Sequence, residues 1–235
     1  MRILIALTSH GDLAGRRGTG YYLSEAAHPW HVFRAAGHTV ELASVAGGEP
    51  PVDGADLTDP IQQAFVADPD VAAQLKATPR LADLDPAGYD AVLFAGGHGT
   101  MWDFPADPGV ARLARDLFER GAVVAAVCHG PSALVGATLS DGTPLVAGRR
   151  VAAFTDSEER AAGVADAVPF LLQTRLEQLG AIHTGAPDWQ PHVVVDGNLV
   201  TGQNPASATG VAEAIVATAS RRAGAAPSVP SAGRR

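Results

Sequence analysis

The chain has 235 residues, 46% of them hydrophobic and 18% charged, a balance that fits one globular domain with a full core. The formal charge is -8, and four of the 17 basic residues (Arg221, Arg222, Arg234, Arg235) fall in the last fifteen positions, so the body holds 13 basic against 25 acidic residues and repels phosphate backbones. Nucleic acid is therefore excluded as an expected partner. No apolar run reaches the ~20 residues of a membrane span, no secretory leader opens the chain, and one cysteine allows no internal disulfide, so the expectation is a cytoplasmic protein.

Short apolar runs alternate with helical patterns along the chain, which predicts an α/β fold with a mainly parallel sheet covered by helices on both faces. Strands are expected at Arg2–Leu7, Thr39–Ser44, Ala91–Ala95, Val123–Val127, Arg150–Phe154, Val193–Val195 and Leu199–Thr201. Helices are expected at Tyr21–Ala36, Ile61–Val66, Val71–Ala77, Gly109–Arg120, Pro131–Val135, Pro169–Leu179 and Ser207–Ala219. Residues 47–88, with six prolines, form a small helical insertion that reads as a cap. Gly197-Asn198 reads as a hairpin turn, and Thr143–Phe154 as a second hairpin. Residues 1–220 are expected as a single domain, and 221–235, rich in Ala, Gly, Pro, Ser and Arg, as a flexible tail.

Three segments carry chemistry. In Val123-Val124-Ala125-Ala126-Val127-Cys128-His129-Gly130-Pro131 a buried strand runs into a cysteine and a helix follows, the layout of a nucleophile elbow. Ligands of open α/β sheets bind at the carboxyl ends of strands, where Cys128 falls. A free cysteine is usually a small buried apolar residue, but a core cysteine has no need of His-Gly-Pro behind it. A helix N-terminus next to the thiol predicts a pKa below the ~8.5 of free cysteine. The turn Gly96-Gly97-His98-Gly99-Thr100 follows another strand, and its N–H groups suit a developing oxyanion. The third segment, Gly18–Pro29, starts a helix on the same rim and carries Glu25, which by pattern alone is an ordinary solvated helix residue.

Together these segments resemble the DJ-1/PfpI superfamily, with its flavodoxin-like sandwich, and more narrowly its glyoxalase III-like, heat-shock chaperone-like branch. The resemblance runs from about Arg2 to Ala219. It rests on Thr19-Gly20…Glu25-Ala26…His28-Pro29, on Gly97-His98-Gly99-Thr100 with Asp103 and Pro105, and on Ala125–Pro131. Phe154-Thr155-Asp156…Glu159 and Val200–Ser207 complete it. It implies Cys128 as nucleophile, His129 as its proton partner, and Glu159 as the acid that orients the histidine, with Glu158 and Asp156 as competitors. It implies that Glu25 is buried against the thiol and shares its proton. Backbone N–H groups of Gly97 and His129 would form the oxyanion hole, with His98 and Gly99 in the substrate-binding turn.

The activity so implied is a lyase of the glyoxalase III (hydro-lyase) type, turning a 2-oxoaldehyde into a 2-hydroxy acid without metal, nucleotide or glutathione, with a small carbonyl compound as substrate and a homodimer as the working state. Rival expectations on the same fold are a hydratase or another biosynthetic enzyme, a stress chaperone or redox sensor with a reactive thiol, and a cysteine peptidase. A glutamine amidotransferase would need a downstream His-x-Glu pair, which neither His183 nor His192 supplies. No sequence spacing points to a metal. Arg16-Arg17 would add positive charge at the pocket mouth, and Trp102 could narrow it.

Overall fold

The computed structural model describes residues 1–225. Six strands form the central sheet: β1 (Arg2–Leu7), β2 (Thr39–Ser44), β3 (Ala91–Phe94), β4 (Val123–Val127), β5 (Val193–Asp196) and β6 (Leu199–Gly202). Their order is β5-β6-β4-β3-β1-β2, parallel throughout except for the antiparallel β5–β6 pair. That pair turns through Gly197 at φ +62°, a conformation open to glycine, as the Gly-Asn signal implied.

Both faces of the sheet are buried, and the period of two decides which side chain goes where. Ile3, Ile5 and Leu7 of β1, with Val123, Ala125 and Val127 of β4, pack on one face. Against them lie α1 (Leu23–Ala35), α2 (Pro60–Ala67), α3 (Pro69–Lys76) and α8 (Ala208–Ala225), through Phe33, Phe65, Val71, Val211 and Ile215. Leu4, Ala6, Val124 and Ala126 point the other way, onto α5 (Pro108–Glu119) and α7 (Leu172–Gln178). Two short helices, α4 (Thr100–Asp103) and α6 (Asp156–Ala161), sit at the carboxyl-end rim.

The helices α2, α3 and α5 start a residue or two earlier than their apolar patterns indicated. Each opens on an Asp-Pro pair in which Asp59, Asp68 or Asp107 accepts a first-turn N–H and proline occupies the first helical position. The expected strand Arg150–Phe154 shortens to Arg150–Val151 and pairs in parallel with Ile182–His183, outside the central sheet. Thr143–Phe154 is accordingly no hairpin. Beyond Val151 its backbone turns to other partners, Ala152 N–H to Thr201 Oγ1 and Phe154 N–H to the Cys128 carbonyl. Helix α8 continues past Ala219 to Ala225, so the start of the expected tail is helical. Residues 226–235 lie outside the described residues. Among the described residues no helix is long and apolar enough to cross a membrane.

Candidate active site

Cys128 ends β4 at φ +60°, in the left-handed region that costs a non-glycine residue about 1–2 kcal/mol. Its N–H is held by the Gly202 carbonyl and its own carbonyl by the Phe154 N–H, both at 2.9 Å. Glycines make the bend sterically open. A Cβ on Gly130 would strike the Phe94 carbonyl, and one on Gly96 would meet Glu25 Oε2 at 2.5 Å and His129 N at 2.7 Å. The turn therefore packs directly on the neighbouring glycine turn after β3, which brings the two motifs together across 30 residues of sequence.

The His129 ring carries the thiol into a relay. Its Nδ1 lies 3.4 Å from Cys128 Sγ, and its Nε2 lies 2.7 Å from Glu159 Oε2. The second oxygen of Glu159 is 2.9 Å from His98 Nε2. Burial would raise the Glu159 pKa, but the facing His129 and His98 outweigh it and hold the carboxyl down at about 2. Burial, then the neighbouring His98, lowers the His129 pKa, so the imidazole is neutral. With Glu159 ionised, Nε2–H donates to it and the Nδ1 lone pair faces the thiol.

Of the competing acids, Glu158 is spent on structure. It closes a capping box with Thr155 at the start of α6, and its Oε1 accepts the Trp189 N–H and the Asn204 amide. Asp156 accepts the Thr174 hydroxyl. Helix α6 has no apolar periodicity to announce it, and its one local signal is the Thr155-x-x-Glu158 capping box.

Glu25, in the first turn of α1, is 0% exposed. Its Oε2 accepts the Gly96 N–H at 2.8 Å, while Oε1 has no nitrogen or oxygen partner. Desolvation raises its pKa to about 8, against the opposing pull of the Cys128 thiol and the Gly96 N–H. The thiol responds in kind. Burial and the facing Glu25 carboxyl push Cys128 well above the ordinary cysteine value, so the lowered thiol pKa expected from sequence is not what this site provides. The expected helix after the elbow is a five-residue 3-10 turn, Gly130–Leu134.

The His129 backbone N–H faces the thiol and Gly97 lines the same cavity, and neither N–H donates to a backbone or side-chain oxygen or nitrogen among the described residues. Gly97 adopts φ +102°, and a Cβ there would collide with Gly20 and Tyr22. Gly99 does not line the cavity and instead packs on Thr8 and the His10 carbonyl, so its place in the substrate-binding turn is indirect.

Above Cys128 is a cavity of about 130 Å³, lined by Tyr22, Gly97, His98, His129, Phe154 and Trp189, with Arg17 and Asp53 at the edge. At ~30 Å³ per water it holds about four waters. Wider clefts of about 380 and 400 Å³ elsewhere carry no cysteine. Trp102 does not narrow the cavity, because its indole stacks on His10, 5.0 Å between centroids. Trp189, edge-on to Phe154, narrows it instead. Both arginines are paired, Arg17 with Asp53 and Arg16 with Asp166. His98, His129 and Glu159 offer three ligand atoms within 4.8 Å of one another, a cluster the sequence spacing concealed, though each imidazole nitrogen that faces Glu159 is already hydrogen-bonded to it.

The chain as a whole is similar to known proteins. The family described as DJ-1/PfpI matches residues 18–218. Glyoxalase 3 of Candida albicans is 34% identical over 233 residues, covering 92% of this chain and 98% of that protein. The glutathione-independent glyoxalase HSP31 of Saccharomyces cerevisiae is 32% identical, covering 88% and 93%. Among solved structures, Rapid Encystment Protein 24 KDa of Francisella tularensis superposes with a TM-score of 0.90 at 34% identity, covering 93% of this chain and 98% of that one. Glyoxalase III of Candida albicans superposes with a TM-score of 0.84 at 32% identity, covering 93% and 97%.

Proposed function

The chain belongs to the DJ-1/PfpI family, and within it we propose that it is a glutathione-independent glyoxalase, converting 2-oxoaldehydes such as methylglyoxal and glyoxal into 2-hydroxy acids. The observation that carries the reading is the thiol at the floor of a 130 Å³ cavity, between a neutral imidazole and a carboxyl that titrates at about 8. A glutathione adduct is far larger than that space. A two- or three-carbon dicarbonyl fits it.

Cys128 attacks the aldehyde carbon while its proton passes to His129 Nδ1, and Glu159 stabilises the imidazolium so formed. The oxyanion is met by the Gly97 and His129 N–H groups and is protonated from His129, giving a hemithioacetal. The ionised form of Glu25, within reach because its pKa is about 8, then takes the C1 proton and returns it to C2. Water hydrolyses the resulting thioester and frees the thiol. Read from product to substrate the reaction dehydrates a 2-hydroxy acid, which places the activity among the hydro-lyases. The same reading includes a cytoplasmic homodimer, and light scattering should return twice the 24.0 kDa of the chain.

Steady-state kinetics on 2-oxoaldehydes without glutathione test the proposal. The wild type should form the 2-hydroxy acid, and Cys128→Ser should lose at least about 10³-fold in kcat with an unchanged melting temperature. Equal turnover by the two proteins would sink it.

A further inference from the structure

The glyoxalase chemistry leaves one charge without a partner. When the C1 proton departs, the electron pair moves into the C1–C2 bond and pushes the C2 carbonyl pair onto its oxygen. Gly97 and His129 attend the oxygen on C1, at the carbon bound to sulfur. The C2 oxygen needs a second donor, and an unaided enediolate in a small buried cavity is costly.

Most polar groups on the cavity wall are committed. His98 and His129 are bonded to Glu159, and Arg17 is held on Asp53. The Trp189 indole is free but sits at the outer, Phe154 side, 49% exposed. Tyr22 is different. It lines the cavity with its phenol in range of Glu25 and Cys128, and its hydroxyl makes no hydrogen bond among the described residues. The residue is fixed at both ends. Its backbone N–H is bonded to the Gly96 carbonyl at 3.0 Å, in the same turn that holds Glu25. Its ring lies so close to Gly54 in the cap that a Cβ there would overlap the ring edge. Gly54, at φ +61°, is thus the residue that leaves room for the phenol.

We propose that Tyr22 is a further catalytic residue, its hydroxyl donating a hydrogen bond to the C2 oxygen of the dicarbonyl as the enediolate forms. Burial, with the nearby Glu25 and Cys128, raises its pKa, so the phenol keeps its proton at working pH. The balance closes without consuming it. The C1 hydrogen ends on C2, the hemithioacetal hydroxyl proton ends on the C2 oxygen, and Tyr22 begins and ends as the neutral phenol. The inference rests on the glyoxalase reading and adds the group that makes the second carbonyl necessary.

The test is Tyr22→Phe, which keeps the ring against Gly54. Its kcat on methylglyoxal should fall about 10²-fold, with KM within a few-fold. Iodoacetamide should alkylate Cys128 at the wild-type rate. Propanal, which forms the hemithioacetal but has no C2 oxygen, should inhibit both proteins with the same Ki. A kcat within twofold of wild type overturns the role of Tyr22, as does a propanal Ki weakened as much as kcat/KM, since that marks a general effect on the pocket. If Tyr22→Phe melts well below the wild type, 3-fluorotyrosine at position 22 replaces it. The alkaline limb of kcat should then move to lower pH, and an unmoved limb overturns the proposal. A wild type inactive on every 2-oxoaldehyde brings down the glyoxalase reading and Tyr22 with it, whereas an active wild type beside an unaffected Tyr22→Phe removes Tyr22 alone.

Discussion

Two buried glutamates act on one cysteine–histidine pair, Glu25 at the thiol and Glu159 behind the imidazole, and they stand in opposite charge states. Glu25, on the first turn of α1, is pushed up to about 8; Glu159, on α6, is held down at about 2. Both are essentially free of solvent. Burial alone would raise both, so it does not distinguish them. The partners do. Glu159 receives hydrogen bonds from two imidazoles, one on each oxygen. Glu25 receives a single backbone N–H on one oxygen and faces a thiol with the other side of the group. A buried carboxyl with two donors is an anion that steers a histidine. One left with a single donor is an acid near neutral pH, suited to moving protons.

Each glutamate can be neutralised by the near-isosteric glutamine, and the two changes should not behave alike. Glu25→Gln removes the proton carrier and should lower kcat on methylglyoxal by about 10²–10⁴-fold, while Cys128 remains open to alkylation. Full activity in this variant would mean that His129 alone moves the protons. Glu159→Gln keeps a side chain between the two histidines but loses the charge that stabilises imidazolium. Its kcat should fall less, by about 10²-fold, together with a slower alkylation rate at neutral pH. An alkylation rate equal to wild type would show that Nδ1 does not depend on Glu159.

The smallest effect is in stability, and its sign separates the pair. For Glu25 the folded pKa, about 8, lies above the ordinary 4.5, so the folded state holds the extra proton. Its contribution is complete below pH 4.5 and is lost as pH rises to 8. For Glu159 the folded pKa, about 2, lies below 4.5, so its contribution is present above 4.5 and is lost as pH falls toward 2. Urea unfolding at pH 5 and pH 8 should therefore show Glu25→Gln gaining about 3 to 4 kcal/mol over wild type at the higher pH relative to the lower. Glu159→Gln should show no such trend in that window. Parallel stability curves for Glu25→Gln and wild type between pH 5 and 8 would place an ionised Glu25 in the folded protein.

Much of the framework was legible in the chain because it depends on near neighbours. The unbroken apolar runs in Arg2–Leu7 and Val123–Val127 call for a strand buried on both faces whatever lies beyond, and both strands begin and end where the runs do. Cys128-His129-Gly130-Pro131 announced a bend at a strand's end, and Cys128 takes the left-handed φ that such a bend requires. Where local signals were misread, the competing signal was also local: the Asp-Pro starts of three helices, and the Thr155–Glu158 box that opens α6.

The sequence by itself determined the sheet, the elbow and the order of the motifs. The tertiary structure decided the chemistry: which of Asp156, Glu158 and Glu159 meets His129, that Trp189 rather than Trp102 borders the cavity, and that the thiol pKa is raised rather than lowered. The physical reason is that protonation states follow desolvation and through-space partners. The contacts that set them join Glu25 to Gly96 across 71 positions and His98 to Glu159 across 61. No spacing along the chain encodes those distances, and they exist only once β3 and β4 lie side by side and bring both turns to one rim.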